Sequence, residues 1–495
     1  MIRVLGHPKR LCDGLTRRDL LRIGTLGTLG LGLAPTVQAD PDRPRGFGRA
    51  KSCILLYLYG APSQLETFDP KPDAPREIRG EFGCIPSVLP GVQVGELLPR
   101  LAQVLDRTTI VRSMTHPYPI HGVAYALTGI PRIDVPMELN PRDSAHWPFL
   151  GSVVAHLDRQ KTALPPEVPP NLLLPFPFSS RRVGEVPRAG PYGGFLGPSA
   201  DPIATEFVGQ ATRTATKTLA DQTWEGLEPY RGITADSRFT LGPWAERETV
   251  PTFDALDRRR SLLEQIEAAR PTLEASASAS ATAGVEDQRA LAYTLMESRR
   301  LREAFDLGRE PMPLREDYGL TLFGQAALTA RRLVEAGGRF ISVFWDEYGL
   351  AGTGWDTHWD HFARMKDELT PGFDQAVSAL IRDLDARGML DETLVLCLSE
   401  HGRTPKLSQA RGGGRDHWSH CYSVLLAGGG IARGRVVGRS DRTAAEPVEH
   451  PVSPKDILAT AYHLLGIDPR TELIDRLKRP LTLVPEGRVD PLLLA

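Results

Sequence analysis

Five runs along this chain are apolar on both faces, which is the signature of buried strands rather than half-solvated ones. They are Ser52-Cys53-Ile54-Leu55-Leu56-Tyr57-Leu58-Tyr59, Thr108-Thr109-Ile110-Val111, Arg339-Phe340-Ile341-Ser342-Val343-Phe344, Thr393-Leu394-Val395-Leu396-Cys397-Leu398 and Tyr422-Ser423-Val424-Leu425-Leu426-Ala427. Apolar positions at helical spacing predict helices over 97–105, 323–336 and 370–387. Buried strands alternating with amphipathic helices predict an α/β fold with a largely parallel central sheet and helices on both faces. The stretch 156–318 breaks the pattern. It is rich in proline, glycine and aromatics at first, then charged and helical, with the low-complexity run Glu274-Ala275-Ser276-Ala277-Ser278-Ala279-Ser280. It is expected to be a helical and loop cap inserted into a domain spanning 51–485.

The first 39 residues read as an address. Thr16-Arg17-Arg18-Asp19-Leu20-Leu21-Arg22 precedes a short Gly/Leu run over 23–33 and the small-residue site Val37-Gln38-Ala39. That order is a twin-arginine signal peptide, and the run is too short and glycine-rich to span a bilayer. The expected location is periplasmic or extracellular, with 40–50 as a linker and no integral membrane span in the mature chain. Composition adds little. The 59 basic and 61 acidic side chains nearly cancel, so charge gives no reason to expect nucleic acid as a partner. None of the five cysteines forms a CxxC pair, which removes zinc ribbons and haem attachment, and Cys53 and Cys397 fall inside strands as core thiols.

Candidate chemistry gathers where the strands end, the edge at which open parallel sheets collect ligands. After the third strand comes Trp355-Asp356-Thr357-His358, in which a carboxylate and an imidazole two residues apart can face one metal. After the fourth comes Ser399-Glu400-His401-Gly402-Arg403, with two adjacent candidate ligands and an arginine whose fork matches phosphate or sulfate. Before the fifth comes Gly414-Arg415-Asp416-His417, a further ligand and a further anion contact. Asp356, His358, Glu400, His401 and His417 are the candidate metal ligands. Nitrogen and carboxylate donors favour zinc or manganese, with calcium possible. Arg403 and Arg415 are the candidate anion contacts.

These motifs, together with Gly60-Ala61-Pro62-Ser63-Gln64 and the following Thr67-Phe68-Asp69-Pro70-Lys71-Pro72, resemble the bacterial domain of unknown function 1501 from about residue 51 onward. That family is similar to the alkaline phosphatase and sulfatase superfamily. The resemblance implies an alkaline phosphatase-like fold and metal-assisted hydrolysis of a phosphate or sulfate ester. The substrate would be a small anionic ester or a sulfated or phosphorylated polymer. Two departures stand out. Gly60 occupies the place of the superfamily's aspartate after the first strand, with Glu66 and Asp69 a few residues on. The helix ending in Thr128-Gly129 starts near His121 and carries no hydroxyl or thiol where a nucleophile is expected. The nucleophile is therefore open among a metal-activated water, His121, Ser113 and Thr115. The competing expectation is a non-catalytic exported binding protein that keeps the fold.

Overall fold

The structure is a computed structural model and describes residues 44–119, 123–130, 140, 143–161, 167–178, 189–219, 222–241, 298–345 and 354–495. Residues 1–39, the low-complexity run and His121 lie outside the described residues. The strands of the main sheet are β1 (Ser52–Leu58), β2 (Thr108–Met114), β3 (Asn171–Leu174), β4 (Ile203–Ala204), β5 (Phe340–Trp345), β6 (Thr393–Leu398), β7 (Tyr422–Ala427) and β8 (Arg435–Val437). Among the described residues they form an eight-stranded sheet in the order β8-β2-β7-β6-β1-β5-β3-β4. Only β7 runs antiparallel to both its neighbours; every other pair is parallel. The apolar run at 422–427 is thus a strand, but of opposite sense to the rest.

Residue alternation along β1 shows why an all-apolar strand is needed here. Ile54, Leu56 and Leu58 join one core and Cys53, Leu55 and Tyr57 the other. The first core is closed by α3 (Leu322–Glu335) and α4 (Thr370–Ala386), the second by α1 (Val123–Thr128), α2 (Leu150–Lys161) and α5 (Pro454–Leu464). The α/β architecture with helices on both faces is as the periodicity implies. Burial also pushes the Cys53 and Cys397 thiols up, which keeps them protonated and inert. α5 opens with a reciprocal capping box between Ser453 and Asp456.

Several boundaries move. Residues 156–318 are not simply an inserted cap, because β3 and β4 lie within them and extend the sheet at the β5 edge. Residues 44–50 are not a loose linker: Gly48 and Ala50 donate to the carbonyls of His463 and Leu464. The domain also runs past 485, since Ala432 donates to the Leu493 carbonyl and Ala495 to that of Gly430. Residues 45–495 form one compact unit. The helix expected over 97–105 is instead two single 3₁₀ turns, Leu101–Gln103 and Leu105–Arg107. Val104 at φ −121° interrupts the helical path, and the Asp374 carboxylate accepts from the amides of Arg100 and Leu101. Among the described residues no helix is long and apolar enough to cross a membrane.

α3 and α4 are joined by a buried charge cluster. The Arg331 guanidinium has no solvent exposure and meets Glu310 at 2.7 Å, Glu335 at 2.5 Å and Asp383 at 2.8 Å. Removing the shared cation leaves Glu310 to Arg332 and Asp383 to Arg387, with an excess of negative charge held between the two helices. Arg331→Ala is expected to lower unfolding stability by about 3–5 kcal/mol, measured by urea denaturation, with Arg331→Lys losing less.

Candidate metal centre

The turn after β5 begins the site. Trp355 is buried and packs edge-on against Trp345 and Phe373, anchoring the loop to the core. Its amide donates to the Tyr59 carbonyl at the end of β1. Arg364 holds the loop from the other side, donating to the carbonyls of Asp356 at 2.9 Å and Gly354 at 2.6 Å. The next residues, Met365–Leu369, form a π-helical turn leading into α4. The second loop, after β6, pairs Gly402–Arg403 antiparallel with His417–Trp418, which sets Arg403 directly opposite His417. The chain can approach this closely only at glycine. A Cβ on Gly414 would lie 1.9 Å from the His358 carbonyl oxygen.

These two loops bring Asp356, His358 and His417 together, a group that could hold a metal ion. His358 Nε2 lies 2.9 Å from Asp356 Oδ1 and 3.1 Å from His417 Nε2, and His417 Nε2 lies 3.4 Å from the same carboxylate oxygen. The outer ring nitrogens fix the tautomers. His358 Nδ1 is 2.7 Å from Asp416 Oδ1 and His417 Nδ1 is 3.2 Å from the Pro119 carbonyl. Both partners can only accept, so each Nδ1 donates outward and each Nε2 is the nitrogen turned toward the trio, where an ion would take the place of any proton it holds. Three electron-pair donors thus converge.

That geometry fits a tetrahedral ion. Metal–ligand distances of about 2.0–2.2 Å place neighbouring donors roughly 3.3–3.6 Å apart; the 3.4 Å spacing lies in that range and those of 2.9 and 3.1 Å fall just short of it. Asp416 behind His358 is the carboxylate–histidine arrangement that commonly orients a metal-binding imidazole. Two nitrogens in a set of three donors make a mixed nitrogen and oxygen set of the kind that binds first-row divalent ions. The hydrogen bond to Asp356 also holds the His358 imidazole above its ordinary pKa, against the opposing effect of burial.

The other candidates are placed differently. Glu400 is buried and turned inward: Oε1 accepts from the Gly60 amide at 2.7 Å and Oε2 from Ser399 Oγ at 3.2 Å. His401 is fully buried, donates from Nδ1 to the Gly402 carbonyl at 2.8 Å and sets its ring 4.7 Å from that of His417, outside the trio. Arg403 has no solvent exposure. Its fork meets Asp356 Oδ1 at 2.5 Å, the Ala61 carbonyl at 3.0 Å, the Arg415 carbonyl at 3.2 Å and the Gly60 carbonyl. Arg415 is equally buried, donating to Glu66 at 2.6 and 3.1 Å and to the carbonyls of Ile78, Thr404 and Pro405. Both arginines therefore face protein groups, each fork already surrounded by acceptors. Ser113 donates to the His450 carbonyl at 2.6 Å, while Thr115 contributes its amide to the Val452 carbonyl.

Glu66 and Asp69 do not join the trio either. Glu66 is buried; burial alone would push its carboxyl up, but the Arg415 guanidinium beside it holds it well below the usual carboxylate range. His361, 3.2 Å from Glu66, is pushed down by burial and stays neutral, with Nδ1 2.7 Å from Thr357 Oγ1. Asp69 meets Lys71 at 2.8 Å and takes a close hydrogen bond from Ser440. Sequence reasoning missed the roles of Asp416 and Arg364. Asp416 stood next to a candidate ligand in the motif, whereas nothing local marked Arg364.

Sheet and site together define an α/β protein with a candidate three-ligand metal centre beyond the ends of its parallel strands. The chain belongs to the family described as protein of unknown function (DUF1501), whose model matches residues 50–493. No curated protein matches it. Among solved structures it is similar to the PsFucS1 sulfatase from Pseudoalteromonas sp., at 12% identity and TM-score 0.37, covering 99% of this chain and 77% of that one. It is also similar to the phosphonate monoester hydrolase SpPMH from Silicibacter pomeroyi, at 13% identity and TM-score 0.31, covering 89% and 76%. A third, Ps i-CgsB in complex with k-i-k-neocarrahexaose, aligns at 11% identity and TM-score 0.37, covering 84% and 72%.

A proton and a metal compete for the same Nε2 of His358. In the metal-free protein the His358–Asp356 contact stabilises the fold below the ordinary imidazole pKa of about 6.5 and is lost as pH rises through the raised value. Zinc affinity is expected to run the opposite way, climbing over that interval. Zinc titrations from pH 5.5 to 8.5 check it, and a flat profile would contradict the ligand role of His358.

Proposed function

We propose that this chain is a metal-dependent hydrolase of sulfate or phosphate esters. The observation that supports it most is the convergence of Asp356 Oδ1 and the Nε2 atoms of His358 and His417 with their tautomers set from outside. Three protein ligands leave a fourth position for substrate or water, the arrangement of catalytic rather than structural zinc. When bound, the ion would polarise an ester oxygen and favour an activated water. The chain's own residues prepare that position. Asp416 holds the proton on His358 Nδ1, the Pro119 carbonyl holds that on His417 Nδ1, and Arg364 with Trp355 fixes the loop that presents Asp356. Zinc or manganese is the expected ion and a small anionic ester or a sulfated or phosphorylated polymer the substrate class. The twin-arginine motif at Arg17 and Arg18 supports export of the folded, loaded protein to the periplasm or beyond.

A specific observation favours a second reading, a non-catalytic binding protein that keeps the metal for structure. Arg403 and Arg415, the two expected anion contacts, are both closed inside the protein. Turnover separates the readings. Purified protein loaded with zinc or manganese is expected to cleave an aryl sulfate or aryl phosphate, and His417→Ala to lose the metal and at least 100-fold in kcat/KM while remaining folded. Folded protein that takes up no metal after reloading defeats the hydrolase reading. Metal without turnover on any sulfate or phosphate ester leaves the binding protein.

A further inference from the structure

The turns beyond β1 and β6 enclose a charge. It belongs to Arg403, and the surrounding chain is shaped to keep it there. Its backbone is clamped by Gln64, which accepts from the Arg403 amide at 3.0 Å and donates to the Arg403 carbonyl at 2.9 Å. Its guanidinium is received by the carbonyls of Gly60 and Ala61, the turn leaving β1. Ala61 adopts φ +69°, a conformation that a residue with a Cβ rarely takes. Gly402 cannot carry a side chain, since a Cβ would lie 2.6 Å from both Gln64 Oε1 and Tyr422 Cβ. The carboxylate that could answer a second cation, Glu400, instead closes on the Gly60 amide and Ser399. Among the described residues one group of metal-ligating side chains remains.

We propose that this centre takes a single divalent cation and that Arg403 is its second, built-in positive charge, a positioning residue acting through Asp356. The proposal rests on the metal-centre reading above. The carboxylate oxygen Asp356 Oδ1 is shared between the guanidinium at 2.5 Å and the two imidazoles. Arg403 therefore does two opposed things: it orients Asp356, and it withdraws part of that oxygen's negative charge from the ion. Between a divalent ion and a buried guanidinium that share one carboxylate oxygen, repulsion is poorly screened by water. The electrostatic effect outweighs orientation, so Arg403 weakens metal binding on balance. A purely structural Arg403 would strengthen it.

The test uses the full chain, stripped of metal and then titrated with zinc against a competing chelator, with bound zinc counted by mass spectrometry after excess is removed. The expected result is one zinc per wild-type chain, at least tenfold tighter binding in Arg403→Gln, and affinity within about threefold of wild type in Arg403→Lys, which keeps the charge. Two zinc ions per chain would overturn the proposal and leave the metal reading standing. Unchanged or weaker binding in an Arg403→Gln protein of wild-type thermal stability would do the same. No zinc bound to the wild type would defeat the metal reading itself, and this proposal with it. Should Arg403→Gln fail to fold, the wild-type count still decides, and Arg403→Lys binding tenfold more weakly than wild type would count against the proposal.

Discussion

Arg415 and Glu66 form an ion pair from which water is excluded on both sides, with side-chain exposures of 0% and 1%. Two ions are taken out of water at a cost of several kcal/mol each, and only close geometry with further hydrogen bonds offsets it. The site loops supply that geometry. Arg415 also donates to the carbonyls of Ile78, Thr404 and Pro405, and Glu66 reaches His361, which in turn meets Thr357. One pair thus binds the turn after β1, the loop carrying Asp356 and His358, and the loop carrying His417. None of these loops has a ladder of its own long enough to hold a ligand in place.

Arg364 and Arg403 repeat the device. A guanidinium offers five donors in a rigid fork, and each of these three arginines uses it mainly to gather main-chain carbonyls from irregular loops. Such carbonyls must be satisfied once water is excluded. The loops beyond the sheet are therefore cross-linked through buried cations, and the convergence of the metal trio follows from that scaffold. The same economy explains why two arginines at the strand ends are turned toward protein carbonyls and carboxylates.

How much of this was legible in the sequence follows from the range of each interaction. The long strands were readable because burial on both faces leaves an unbroken apolar run, as in β1 and β6. β4 and β8, with two and three residues in the sheet, carry no such run, and the proline-rich surroundings of β3 hid it. The helix expected over 97–105 had the right apolar spacing but is overruled by a distant carboxylate, Asp374, that captures its first amides. The ligands were legible as residue types near strand ends. Which way each faced was not, because Glu400 is turned by Gly60 and Arg403 by Ala61, contacts separated by 340 and 342 residues.

Charge balance gives the placement of Arg403 a consequence for the substrate. Arg403 and Asp356 neutralise each other, as do Arg415 and Glu66, so the trio without metal is close to neutral apart from Asp416 behind His358. A divalent ion bound as proposed would then add positive charge beside half-buried side chains, where fields are screened less than in water. An anionic ester would be drawn by that field and by the open coordination position, with no arginine fork needed to grip it. Recognition of the rest of the substrate then falls to the rim. There Trp359 stacks beside His358 with ring centroids 6.1 Å apart, an apolar face next to the reacting position. A centre built this way would select for charge at the metal and for shape at the rim, and the two could vary independently.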